Sequence, residues 1–371
     1  MTLVLIVVFV ALVFEFINGF HDTANSIAMG VSTRALSPRM ALTLAACMDL
    51  VGALVGTNVA ATISSGLVDS QFVTTATIVM ALLGAITWNL VTWWLGLPSS
   101  SSHALIGGLV GATVATASTM MADGHSAWSA VIWSQAKPGA PLKEYGGLLY
   151  KVIVPMIASP LFGFFGGLVT MTLFYRLVAR WRPGTVDRTF RFGQLFSGAY
   201  VGFSHGNNDA QKTMGIIALA LVAATKAGSL EHLPSWLSFL HQPDCGKDVP
   251  IPMWIKVTCA LVLASGTASG GWRIIKTMGQ KMVKVLPING FAADATGASV
   301  LVTAAHFGMP VSTTHAITTS IMGVGCARRW SALKLSVVSR ILSAWMLTLP
   351  ICAGMGWLGM KLWIAVGWPV K

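Results

Sequence analysis

Charged side chains are scarce in this chain. Asp, Glu, Lys and Arg make up 10% of 371 residues, where a soluble domain carries about a quarter. So few charges cannot coat a water-exposed surface of this size, which excludes an ordinary soluble enzyme or binding module. Cysteine is sparse too. There are five, an odd number, and Cys47, Cys259, Cys326 and Cys352 fall in apolar runs, which excludes both a disulfide framework and a zinc cluster. Strict polar–apolar alternation is missing as well, so a transmembrane β-barrel is excluded.

What is there instead is hydrophobic sequence, 54% of the chain. It comes in runs of the length that crosses a hydrocarbon core of about 30 Å as a helix. The spacing predicts an all-α polytopic membrane protein with apolar segments near 3–30, 40–63, 72–96, 99–119 and 150–175, then 195–224, 252–272, 291–308, 311–326 and 335–363. The opening MTLVLIVVFVALVFEF has no basic start, and reads as a retained first helix rather than a cleaved signal peptide. The net charge of +12 does not mark a nucleic-acid protein, because the basic residues sit in short loops between apolar runs, where they act as topology signals.

Five elements, a basic stretch and five more suggest a duplication. NGFHDTANS in the first element is matched by SHGNNDAQK in the sixth, and LPSSSSHALIGG in the fourth by MPVSTTHAITTS in the ninth. Two different motifs recur in one order, at the same rank in each half. Residues 1–175 and 195–371 are thus expected to be two repeats joined by a basic cytoplasmic linker, 176–194. An odd number of crossings per half inverts one against the other. Arg34 and Arg39, the linker arginines, Arg273 to Lys284 (Lys281 among them), and Arg328 to Lys334 all fall on one side. The loops 120–149 and 225–251 fall on the other, so both termini are expected outside an inner membrane.

Polar residues at membrane depth carry the functional signal, since a charge at mid-bilayer costs roughly 2.5–3.5 kcal/mol on insertion scales. PSSSSH and PVSTTH each begin a helix there. Proline suits the end of one helix or the first turn of the next, and Ser or Thr caps the free amides. A helix N-terminus carries unpaired donors and partial positive charge, which suits an anion. Ser99, Ser100, Ser101 and Ser102, set against Ser312, Thr313 and Thr314, are expected to clamp one tetrahedral oxyanion between two re-entrant hairpins. Ordinary Ser/Thr packing in membrane helices is the bland alternative.

In the first element Asp22 and Asn25 share a helix face. Asn18 and Gly19 predict a local helix break, whose freed carbonyls would complete a hard-cation or proton site. The second copy aligns Gly19 with Gly206, His21 with Asn208, Asp22 with Asp209 and Asn25 with Lys212. Asp209 and Lys212 are spaced to pair, either with the ammonium in place of a mobile cation or as a structural ion pair. Glu15, Asp49 and Asp294 are further acids in apolar runs, and Asp49 and Asp294 are candidate proton relays. His103 and His315, one turn into each hairpin, admit an intramembrane Ser/His enzyme, but no nucleophile elbow accompanies them.

At these residues the sequence resembles the PiT family of inorganic phosphate transporters. GFHDTANS and HGNNDAQK are similar to the two copies of its G-x-N-D-x-x-N signature, and the paired hydroxyl hairpins to its phosphate site. The likeness covers essentially the whole chain. It implies an inverted-repeat fold with broken helices, phosphate held by Ser100, Ser101, Ser102, Ser312, Thr313 and Thr314, and coupling through Asp22, Asn25 and Asp209. His21 and Lys212 depart from the signature and resemble the bacterial branch. That branch implies proton symport by alternating access, with phosphate moving at times as a complex with a divalent metal. No resident cofactor is expected. The expected partners are phosphate, the lipid bilayer and a second copy in a homodimer. Sodium–phosphate or proton–sulfate transport on the same fold are the rivals.

Overall fold

A backbone in lipid must satisfy every N–H and C=O within its own segment, and an apolar helix does so. The structure, a computed structural model, describes residues 2–121, 126–135, 139, 145–231, 233–242 and 250–368. Parts of the loops 120–149 and 225–251, and the side chain of Lys281, lie outside the described residues. The first half contains α1 (Thr2–Ser32), α2 (Pro38–Ala53), α3 (Asn58–Ser65), α4 (Thr75–Leu95), α5 (Ser101–Met120) and α6 (Val154–Leu177). The second contains α7 (Pro183–Lys226), α8 (Met253–Ser269), α9 (Trp272–Lys276), α10 (Pro287–His306), α11 (Thr313–Cys326) and α12 (Leu335–Ala365).

Each apolar segment read from the sequence coincides with a helix or a bent pair. The second element of each half is the bent one: α2 and α3 meet at 67°, and α8 runs into the segment Trp272–Gly279 at 57°. Among the described residues, five helical stretches are long and apolar enough to cross a membrane alone, or up to seven if each bent pair counts as one span. α11, with 14 residues, is only about 21 Å long at 1.5 Å per residue, too short to span.

One expectation needs correction, and the linker gains a structure. The linker is mostly helix: α6 ends at Leu177 and α7 starts at Pro183, so residues 183–194 are its first three turns. Proline at the first helical position loses no hydrogen bond, and an Asp187–Arg191 pair at 2.7 Å braces the basic run one turn further on. The correction is that α1 is not broken at Asn18–Gly19, for it runs unbroken from Thr2 to Ser32. Gly19 serves close approach instead, since a Cβ there would collide with the backbone of Leu263 on α8. Gly206 does the same on α7 against Asp49 of α2.

Those two contacts belong to a general exchange. α8 packs on α1 as α2 packs on α7, α11 on α6 as α5 on α12, and α10 on α7 as α4 on α1. Every such contact reappears with the halves swapped, as a pseudo-two-fold axis requires. The outer helices α6 and α12 turn large apolar side chains outward, with Phe162 68% and Met346 80% exposed, as lipid-facing surfaces do. The hairpin helices α5 and α11 are buried almost throughout.

Candidate functional site

The two hairpin tips are built from one recipe. α4 ends at Gly96 and α10 at Phe307–Gly308, both glycines at φ 64°, the left-handed conformation that closes a helix without a Cβ penalty. Two residues on come Pro98 and Pro310, and two further on the N-caps of the return helices. Ser100 Oγ accepts from His103 N, and Ser312 Oγ from His315 N, each at 3.1 Å. Carbonyls left free by the turns are met by side chains. Trp94 O accepts from Arg273 and Gly96 O from Thr277, both at 2.8 Å. On the other tip His306 O accepts from Asn58 (3.1 Å), Phe307 O from Lys151 (2.8 Å) and Gly308 O from Thr62 (2.7 Å).

Between the tips the motifs of α1 and α7 meet the hydroxyls. Ser101 Oγ lies 2.8 Å from Asp22 Oδ2 and 2.6 Å from Asn18 Oδ1. Thr313 Oγ1 stands 3.3 Å from both Asp22 Oδ2 and Asp209 Oδ2. Thr314 Oγ1 is 3.4 Å from Asp22 Oδ1 and receives the Asn25 amide at 3.0 Å. Lys212 Nζ donates to Asp209 Oδ1 at 2.6 Å, to Val311 O at 2.9 Å and to Ser102 Oγ. Ser102 also reaches Val311 O at 3.3 Å, which ties the two tips together. All of these side chains are buried. The site is thus a layer of hydroxyls over two carboxylates, with one ammonium fixed in place.

Sequence-predicted residues divide by where they fall. Asp22, Asn25, Asp209, Lys212, Ser101, Ser102, Thr313 and Thr314 form that layer. Ser100 and Ser312 lie at its edge, with their side chains occupied as caps. Ser99 turns aside to Thr92 (2.8 Å) and His21 (3.4 Å). His21 holds the far edge of Asp22 at 2.7 Å. Asn208 donates to Met309 O at 3.5 Å, bracing a tip. Asp294 receives Ser197 at 3.2 Å and shares no hydrogen bond with the layer.

Asp49 is brought in through a residue that sequence reading gave no role. His205 Nδ1 bonds Asp49 Oδ1 at 2.8 Å, Asp49 Oδ2 receives Thr267 at 2.5 Å, and His205 Nε2 faces Asp209 Oδ2 at 3.6 Å. Asn18, which the sequence reading gave only a part in a helix break, is the other, its side-chain oxygen accepting from Ser101. The register that pairs Gly19 with Gly206 also pairs Asn18 with His205, and that shared position was the signal available. Asp22, His205 and Asp209 offer ligand atoms within 4.8 Å of one another, a spacing open to a cation, although Lys212 already neutralises one side of it.

Two inverted halves that meet in a buried polar layer make a helical membrane protein with the inverted-repeat architecture that many transporters have. The chain belongs to the phosphate transporter family, whose profile matches residues 18–356. It is 40% identical over 356 residues to a probable low-affinity inorganic phosphate transporter of Bacillus subtilis, covering 95% of each chain. It is 43% identical to the similarly named protein of Rhizobium meliloti, covering 93% of this chain and 91% of that one. The Mycobacterium tuberculosis H37Rv counterpart is 41% identical, covering 95% of this chain and 76% of its own. Among solved structures, one described as the sodium-dependent phosphate transporter superposes with a TM-score of 0.77 at 21% identity, covering 99% of this chain and 100% of that one. At that identity it shares the fold.

Proposed function

We propose that the chain imports inorganic phosphate by proton symport, with access alternating between the two hairpin tips. The observation that carries this reading is the convergence of Ser101, Ser102, Thr313 and Thr314, at the N-termini of α5 and α11, on Asp22, Asp209 and Lys212. Helix N-termini attract an oxyanion, while the two carboxylates beside them repel one that carries no proton. Phosphate at neutral pH brings its own O–H donor and satisfies a carboxylate; sulfate brings none. The names of the relatives support the same substrate.

Lys212 supports proton rather than sodium coupling. Its ammonium stands on Asp209 where the first half has Asn25, so the layer keeps no vacant second-half carboxylate for a mobile cation. A divalent metal is cargo in this scheme, entering as a complex with phosphate. Radiolabelled phosphate uptake into proteoliposomes under imposed proton or sodium gradients, with and without magnesium, tests the reading. Uptake driven by protons and indifferent to sodium is the expected result, and strong sodium stimulation overturns it.

The basic residues support an inner-membrane orientation with both termini outside and 176–194 in the cytoplasm. A cysteine placed in that segment is expected to resist an impermeant thiol reagent in intact cells, and one in 120–149 to react. An intramembrane Ser/His enzyme finds no support at the tips. The ring nitrogens of His103 and His315 bond to no hydroxyl. The rings pack edge to face at 4.8 Å, and His315 stacks on Trp345 at 3.9 Å.

A further inference from the structure

Glu15 is a buried acid to which neither the duplicated motifs nor the substrate layer gives a role. It lies on α1 two turns before Asp22 and is fully buried. Thr213 of α7 hydrogen-bonds to its Oε2, and its Oε1 has no hydrogen-bond partner. The ionisable groups facing it are Asp209 and His205 on α7 and Cys259 on α8. Among the described residues, no lysine or arginine forms an ion pair with it. An ionised carboxylate at membrane depth without a cation is expensive.

Its position also breaks the pseudo-symmetry. The register that superposes Asp22 on Asp209 superposes Glu15 on Gly202, and the contacts of Gly19 and Gly206 superpose Asp49 on Leu263. The acids Glu15 and Asp49 therefore occur once each, and both lie around His205, itself the unmatched partner of Asn18. Asn18 faces Glu15 and connects it to the substrate layer, because its side-chain oxygen accepts from Ser101, which also contacts Asp22 at 2.8 Å. Ser101 has a single proton for two acceptors. An Asn18 amide that follows the charge on Glu15 would change which acceptor Ser101 serves.

We propose that Glu15 is a proton-binding site of the transport cycle: it carries the co-transported proton, and Asn18 and Ser101 report its protonation to the phosphate layer. The proposal rests on the proton-symport reading above. No bond other than O–H forms or breaks, and the proton enters from one aqueous side and leaves to the other.

The test compares wild type, Glu15→Gln and Glu15→Asp in proteoliposomes with two assays, phosphate uptake driven by an inward proton gradient and phosphate–phosphate exchange at equal pH. Glutamine copies the protonated acid. Glu15→Gln is therefore expected to lose gradient-driven uptake at least tenfold while exchange persists and becomes less dependent on pH than in wild type. Glu15→Asp is expected to recover part of the driven uptake. Driven uptake by Glu15→Gln equal to wild type overturns the proposal. So does loss of exchange in a Glu15→Gln protein that remains monodisperse in detergent, since the neutral mimic should complete exchange. If wild-type uptake itself ignores the proton gradient, the symport reading fails, and Glu15 falls with it.

Discussion

Asp22 on α1 and Asp209 on α7 occupy the same register of the same helix in opposite halves, yet they are balanced differently. Asp22 is surrounded by neutral donors, Ser101, Thr313 and Thr314, with His21 at 2.7 Å. Asp209 is bound directly by the Lys212 ammonium at 2.6 Å. The scaffold around them hardly differs, down to matching tip glycines, proline positions and capping serines. Duplication thus fixes where a carboxylate stands, and the residue one turn later decides whether an amide or an ammonium stands beside it. One half keeps its carboxylate among hydroxyls and an imidazole, the other against a fixed ammonium.

Removing that counter-charge should produce the largest effect. Lys212→Ala leaves Asp209 buried and unpaired, a change that costs about 3–5 kcal/mol when one member of a buried pair is lost. It also strips Ser102 and Val311 O of a donor. Phosphate uptake is expected to fall more than a hundredfold with and without sodium, with a lowered melting temperature. Lys212→Asn, which copies the first half, should be inactive without sodium and regain activity when sodium fills the vacated position. Full activity of Lys212→Ala would reduce the lysine to a dispensable brace and erase the contrast between the halves.

Next in size is the clamp, where the halves are expected to act alike. Ser101→Leu and Thr313→Leu each remove a hydroxyl from the carboxylate layer and fill space between the tips. Both should abolish measurable phosphate binding in calorimetry while the protein stays folded. Wild-type affinity in both variants would sink the clamp.

The sequence makes some of this legible and hides the rest for physical reasons. Ten apolar runs were readable because hydropathy records which side chains lipid or protein must cover. The site motifs were readable because they occur twice. His205 was passed over for the converse reason: its repeat partner is Asn18, and comparison of two copies discards what only one of them has. Asp49 and Asp294 look alike as single acids in apolar runs. Only the crossing of α2 over α7 places Asp49 against His205, while Asp294 is left with Ser197. The expected break at Asn18–Gly19 failed because glycine in a membrane helix serves close packing as readily as flexibility.

A smaller effect should distinguish the two tips. Thr62 on α3 holds Gly308 O, and Thr277, just past α9, holds Gly96 O. These are equivalent hydrogen bonds on opposite sides of the substrate layer. Losing one costs about 1 kcal/mol, enough to shift a two-state balance about fivefold. Thr62→Val and Thr277→Val should shift it in opposite directions. Thiol labelling of Cys introduced at Leu97 or Met309, in a cysteine-free background, reads the shift from each side. Shifts of the same sign would mean that the tips are not alternating gates.

The smallest effect is expected at Asp294, and it bears on the comparison from outside the site. Asp294 is fully buried, yet its one hydrogen bond is from Ser197 Oγ at 3.2 Å, and its Oδ1 has no hydrogen-bond partner. Asparagine has the same shape and still accepts from that serine, so Asp294→Asn should cost no more than about 1 kcal/mol. Proton-driven phosphate uptake is expected within about twofold of wild type, against the large loss from Glu15→Gln. Both acids are buried and both lack a cation partner. They differ in that Asn18 and Thr213 connect Glu15 to helices that carry the substrate layer, whereas Asp294 contacts none of its hydroxyls. If Asp294→Asn lost driven uptake while keeping exchange, burial alone would be sufficient to make a coupling acid, and connection to the layer would not be what selects Glu15.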